Sequence, residues 1–249
     1  NKILTYGDKF ELFEKDTSLN PDLCDDQIVL GCSYNSISYE ITSVCLKKIK
    51  IWNVFNGKVK KVYDDPMGNE ITSYVFDASM KRIYLGDNTG RIKNFNMSHG
   101  NYLKDFAPHS NEICNLAYSD KNALLISLSE DQVIKFHEDV ELLETTILKE
   151  INLSQMNVKT IAISEAHSRM LIGLGNGTLK FYDIEHFRFD SEVETESEKK
   201  FYGDPIVKIT PMGDYELAFV SHESGKGKFM IIPPNGYKNF SFGVIDNIL

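Results

Sequence analysis

Apolar and polar residues alternate in short runs along most of the chain, and each run closes on Gly, Asp, Asn or Ser. Residues 69–107 show this most clearly, as NEITSYVFDAS, KRIYLGDNTG, RIKNFNMSHG and NYLKDFA in succession. Runs rich in β-branched and aromatic residues, bounded by turn formers, predict strands joined by hairpins. Four such strands make a unit of about 40 residues.

The unit recurs. NEICNLAYSD, ALLISLSED, QVIKFHED and VELLETTIL form a second copy, and NVKTIAISEA, RMLIGLGNG and TLKFYDI open a third. Upstream, QIVLGCSYN, EITSVC, KKIKIWNV and GKVKKVYDD form another; downstream, PIVKITPMGD, YELAFVSHES and GKFMIIPP form a last. KILTYG and DKFELFE read as the second and third strands of a preceding unit. The third strands align on Phe13, Trp52, Phe95, His137, Tyr182 and, in the last unit, Ile232. Lys stands two residues earlier in four units, as Lys50, Lys93, Lys135 and Lys180. An acid or amide follows in five, as Glu14, Asn53, Asn96, Glu138 and Asp183. Asp87-Asn88-Thr89-Gly90 and Gly175-Asn176-Gly177-Thr178 supply the positive-φ residues that tight hairpins need.

This register resembles the WD-repeat family, whose units each form one four-stranded blade. Trp52-Asn53, Phe95-Asn96, His137-Glu138 and Tyr182-Asp183 stand as degraded forms of its WD dipeptide. His109 matches the upstream His of the family's GH dipeptide; Met67 takes the equivalent place one unit earlier. The resemblance implies an all-β WD-repeat β-propeller with about six blades visible. The expected boundaries are a partial blade at 1–25 and blades at about 26–66, 67–108, 109–150, 151–203 and 204–249. Because the chain starts in mid-blade, part of a seven-bladed ring or of a larger multi-propeller chain is expected; a closed six-bladed ring is the alternative. Ring-bearing residues at the dipeptide position are expected to wedge between blades. His137 is expected to join His109 and Ser127 in a hydrogen-bond network, with Glu130 or Asp131 supplying the acid of intact repeats.

Composition narrows the function classes. A formal charge of -9 over 249 residues disfavours nucleic acid, whose binding needs a basic surface to displace counterions. No apolar run is long enough for a membrane span, and NKILTYGDKF shows no signal peptide. Cys24, Cys32, Cys45 and Cys114 are scattered, which suits a reducing, intracellular compartment. His99, His109, His137, His167, His186 and His222 lack metal-ligand spacing, and DNTGR lacks the carboxylate ladder of a calcium loop. GLGNG sits between strands, where no helix N-terminus helps it to hold phosphate. With no nucleophile or phosphate-loop motif either, the expectation is a protein that is not an enzyme and has no cofactor, metal or small-molecule substrate.

Two charge patterns are candidate interaction surfaces. Asp190, Glu192, Glu194, Glu196 and Glu198 alternate strictly, which on an extended strand puts every carboxylate on one face. They read as a solvated edge that blocks strand pairing, or as an acidic stripe for a basic partner. Lys47, Lys48, Lys50, Lys58, Lys60 and Lys61 cluster in the outer half of one blade, either as a soluble rim or as a contact for an acidic surface such as tubulin. Asn69, Glu70, Asn111 and Glu112, which open two blades, are further candidates.

A finer resemblance lies in NGKVKKVYDDPMGNEITSYVFDASMKRIYLGDNTGRIKNFNMSHGNYLKDF, GNGTLKFYDIEHFRF and DPIVKITPMGDYELAFVSHESG. These segments are similar to the long WD-repeat proteins of motile cilia, some of which carry EF-hands and two propellers. The similarity covers roughly residues 45 to 235. It implies a structural scaffold of the ciliary axoneme that docks on doublet microtubules or their attached complexes, with tubulin and axonemal complexes as partners. The alternative expectation is a soluble cytoplasmic adaptor in a ubiquitin-ligase, trafficking or signalling complex.

Overall fold

Alternating runs too short to bury both faces must pair into sheets, and the sheets must then stack. That is the arrangement in a computed structural model, which describes residues 27–140, 145–189, 203–212 and 217–232, together with the backbone of 2–5 and 11–14. Strands β1 (Lys2–Thr5) and β2 (Glu11–Glu14) form a two-stranded sheet. Five further sheets are set in a ring, and the fold is a β-propeller. Blade 1 is β3 (Val29–Asn35), β4 (Glu40–Cys45), β5 (Lys48–Asn53) and β6 (Val59–Asp64). Blade 2 is β7 (Ile71–Phe76), β8 (Arg82–Asp87), β9 (Ile92–Asn96) and β10 (Asn101–Phe106). Blade 3 is β11 (Ile113–Ser119), β12 (Leu124–Ser129), β13 (Val133–Glu138) and β14 (Ile147–Asn152). Blade 4 is β15 (Val158–Ser164), β16 (Arg169–Leu174), β17 (Leu179–Asp183) and β18 (Arg188–Phe189). Blade 5 has β19 (Ile206–Pro211), β20 (Leu217–His222) and β21 (Gly227–Ile231). The run VELLETTIL, read from sequence as a fourth strand, overlaps β14 only at Ile147 and Leu148.

All five sheets share one irregularity. The ladder between first and second strands slips at Val29/Gly31, Ile71/Ser73, Ile113/Asn115, Val158/Thr160 and Ile206/Lys208. A bulge at the second residue of a strand bends it and increases its twist. Repeated in every first strand, it curves each blade equally around the axis. These first strands surround a central cavity of about 570 Å³, lined by Thr72, Tyr74, Leu116, Tyr118, Ile161 and Ile209 among others.

The cores lie between blades. Ile49, Ile51 and Val44 of blade 1 pack with Ile71, Ile83, Leu85 and Phe95 of blade 2. Tyr84, Ile92 and Phe106 of blade 2 pack with Ile113, Leu116 and Leu125 of blade 3. Ile126, Leu128, Ile134 and Phe136 of blade 3 meet Ile161, Met170, Ile172 and Tyr182 of blade 4. Leu171, Leu179 and Phe181 of blade 4 meet Ile206, Ile209, Val220 and Met230 of blade 5. Each buried aliphatic or aromatic side chain contributes roughly 1.5–3 kcal/mol to such a contact.

Turns repeat as faithfully as strands. Tyr39, Ala123 and Ser168, each directly before a second strand, are left-handed, with φ between 47° and 54°. Gly57, Gly100 and Phe187, each four residues after Asn53, Asn96 or Asp183, are left-handed as well. Each sheet therefore has a turn face, carrying the first-to-second and third-to-fourth connections. Its opposite, the hairpin face, carries the second-to-third hairpins and the segments leading into the first strands. Among the described residues no helix is long and apolar enough to cross a membrane.

Candidate interaction surfaces

The ring-bearing column is placed by the ladder. Trp52 pairs with Ile41, Phe95 with Ile83, His137 with Leu125 and Tyr182 with Met170; each partner is the second residue of its strand. Phe13 stands opposite Ile3, one rung from Lys2↔Glu14, in the same relation. In blade 5 that rung belongs to Met230, opposite Ala218, and not to Ile232. Strand periodicity explains the two-residue error, since residues two apart share a face and both Met230 and Ile232 are buried. Trp52, Phe95, His137 and Tyr182 are all buried.

The acid or amide after this column has a local task. Asn53 Oδ1 accepts from the backbone N–H groups of Phe55 and Asn56, at 2.9 and 3.2 Å. Asn96 Oδ1 accepts from Ser98 N–H at 2.8 Å. Asp183 Oδ1 accepts from Glu185 and His186 N–H, at 3.0 and 3.1 Å. A short side-chain acceptor here holds the third-to-fourth-strand turn.

Blades 1 and 3 carry a further bond at this level. Ser43 and Ser127 are each the fourth residue of a second strand. Trp52 Nε1–H donates to Ser43 Oγ at 2.8 Å. Ser127 Oγ lies 2.8 Å from His137 Nε2 and 2.7 Å from His109 Nε2, so His109, Ser127 and His137 form one buried network. Neither Glu130 nor Asp131 completes it by hydrogen bond: Nδ1 of both rings has no partner among the described residues, and Asp131 Oδ1 accepts from Val133 N–H. Burial, reinforced by Lys135, depresses His109 to about 4. Burial, His109 and Lys135 depress His137 to about 3. Both rings are neutral at physiological pH.

A second buried polar cluster carries no repeat signature. The residue two after the ring column is Val54, Met97 and Ile184 in blades 1, 2 and 4, but Asp139 in blade 3. Asp139 accepts from Tyr84 and Tyr118 hydroxyls at 2.5 and 2.9 Å and from Arg82 Nη1 at 3.1 Å, and it pairs with Lys104 Nζ at 2.6 Å. The two tyrosine rings stack at 4.6 Å with the Arg82 guanidinium over both. Burial alone would raise the Asp139 carboxyl; these donors hold it below the usual carboxylate range. The group ties blade 2 to blade 3. The sequence signal was a charge in an otherwise apolar column.

The blade-opening residues are held through their backbones. Glu70 and Glu112 carbonyls accept from Asn88 and Glu130 N–H, as Asn157 and Pro205 carbonyls do from Gly175 and Glu223. Asn69 Nδ2–H donates to Asp87 Oδ2, and the Asn111 carbonyl accepts from Ser129 Oγ–H. The Glu70, Asn111 and Glu112 side chains remain exposed on the hairpin face.

The six lysines of blade 1 do not form one patch. Lys50 is buried, 5.7 Å from the Trp52 ring, and Lys48 faces Asp64 at 3.9 Å. Lys60 pairs with Glu40, and Lys61 donates to the Ser98 carbonyl of blade 2. Lys47 and Lys58 are exposed, at opposite ends of the β5–β6 pair. Asp190, Glu192, Glu194, Glu196 and Glu198 lie outside the described residues. Among the described residues no group of three His, Cys, Asp or Glu side chains is placed to hold a metal ion.

No family model matches the chain. It is similar to "Cilia- and flagella-associated protein 337 B" of Tetrahymena thermophila, with 24% identity over 237 residues. The alignment takes in 95% of the chain but only 19% of that protein's length.

Proposed function

We propose that this chain is a WD-repeat propeller of the ciliary axoneme, docking on doublet microtubules or their attached complexes and holding partners without chemical turnover. One observation carries the reading: similarity to a protein named for cilia and flagella runs through 95% of the chain. The degraded dipeptides support the WD-repeat assignment. Ser43–Trp52 and His109–Ser127–His137 bond as remnants of one repeating network in two blades out of five. The placement of buried ionisable groups supports a binding role. Asp139, Lys104 and Arg82 tie blades together, and the two network histidines are buried in a blade. Propellers offer partners the loops at either end of the ring, with the blades as rigid supports.

The test is localisation of the tagged full-length protein in ciliated cells, followed by detergent and salt extraction. Retention on demembranated axonemes is expected. A diffuse, detergent-soluble signal in the cell body would overturn the axonemal reading.

A further inference from the structure

On the turn face, the first-to-second-strand turn of blade 1 and the corresponding turn of blade 2 leave a groove of about 370 Å³. Asn35, Ile37 and Ser38 form one wall, Ser79, Met80 and Lys81 the other, with Lys60 and Lys61 at the outer end. Beside it stands an apolar lip. Ile37 is 85% exposed and Phe55 70%, and the Tyr39 ring lies tilted against Phe55 at 5.2 Å. Three large apolar side chains left in water on adjacent turns are more than scattered surface hydrophobics.

The charge at this groove is opposite to that of the chain. Lys60, Lys61 and Lys81 line it, and Lys58 stands exposed on the turn that carries Phe55. Glu40 is the only carboxylate among the lining residues, and Lys60 already neutralises it. These lysines give an acidic ligand a local counter-charge at the groove. Lys61 bonds the Ser98 carbonyl and Tyr63 Oη–H bonds the Met97 carbonyl at 2.7 Å, which fixes the two blades on either side.

We propose that this groove receives an acidic, extended peptide segment whose bulky apolar side chain packs on Ile37, Tyr39 and Phe55 while its carboxylates meet Lys58, Lys60 and Lys81. A nucleic acid fits less well, because an aliphatic Ile37 and a tilted aromatic pair are no stacking platform for successive bases. The inference rests on the reading of the chain as a binding platform, and it names the partner chemistry.

The test is fluorescence anisotropy of the whole chain with a labelled glutamate-rich peptide of about twelve residues carrying Leu and Phe at its centre. Saturable binding is expected. Lys58→Glu with Lys81→Glu should weaken it at least about tenfold, as should Ile37→Ser with Phe55→Ser. All four side chains are exposed, so these variants should fold. Lys47→Glu, on the hairpin face, should leave affinity unchanged. Loss with Lys47→Glu equal to that with the groove variants, unchanged binding when the peptide's glutamates are replaced by glutamine, or no binding would overturn the proposal. Tighter binding of an oligothymidine or of phosphatidylserine vesicles would overturn it too. Failure here leaves axonemal retention intact, and loss of retention leaves peptide binding intact, so the two readings fail separately.

Discussion

A few side chains break the repeat, and their chemistry sets measurable behaviour. His109 and His137 are neutral in the fold because burial disfavours the imidazolium, whereas in the unfolded chain they titrate near the ordinary 6.5. The unfolded state therefore binds more protons once pH falls below 6.5. Stability is full above that pH and is lost as pH drops towards about 4 and about 3, by an amount on the order of a few kcal/mol. Urea midpoints should hold near pH 7.5 and fall as pH drops below 6.5 towards 4, and His109→Gln with His137→Phe should flatten the slope over that window. Gly90 offers a second test. It has φ +85°, and a Cβ there would stand 2.4 Å from the His109 carbonyl oxygen. Gly90→Ala should cost about 2 kcal/mol or more in denaturant melts, since both the backbone conformation and the clash oppose it.

At the scale of the blade, the turns and the second-to-third ladders are near copies, and what differs is how neighbouring blades are joined. The core between blades 3 and 4 is apolar, whereas blades 2 and 3 meet in part through Asp139 and its four partners. A buried charge deprived of its counter-charge is costly, while apolar replacement of a whole buried group is often neutral. Lys104→Met should therefore destabilise by about 3 kcal/mol in equilibrium unfolding. The quadruple change Asp139→Ile, Lys104→Met, Tyr84→Phe and Tyr118→Phe should recover most of that loss, because Ile is already accepted at the equivalent position, Ile184. No recovery would mean that the group does more than hold the interface. The turn face carries a related relay: Ala78 N–H bonds Asp120 Oδ2, and Asp120 N–H bonds Glu165 Oε1 one blade on.

For the whole molecule, cores shared between successive blades imply that no blade is stable by itself. The single tryptophan, Trp52, reports on blade 1, while far-ultraviolet dichroism reports on all of them. Ile126→Ala, in the core between blades 3 and 4, should cost about 3 kcal/mol. It should lower the midpoint seen by Trp52 fluorescence and by dichroism together. A dichroism midpoint that moved alone would show the blades unfolding separately.

Local rules made the strands, hairpins and ring-bearing column legible in the sequence, because alternation, Asn/Gly turns and a 42–45-residue recurrence from Trp52 to Tyr182 are chain-local properties. The sequence also placed His109, Ser127 and His137 together, since a repeat fixes which residues share a level. It put the column at Ile232 where the ladder has Met230, because apolar patterning cannot resolve a shift of two residues on one face. Nor did it foresee that four of the six lysines turn to partners within their own and the next blade, or that Asp139 draws four side chains from positions up to 57 residues away. The bulge common to the first strands, the inter-blade bonds and the groove beside Ile37 were likewise decided only by tertiary structure. The bonds and the groove depend on how one blade is rotated against the next, and the bulge on the pairing of two strands, relations between segments that no apolar alternation encodes.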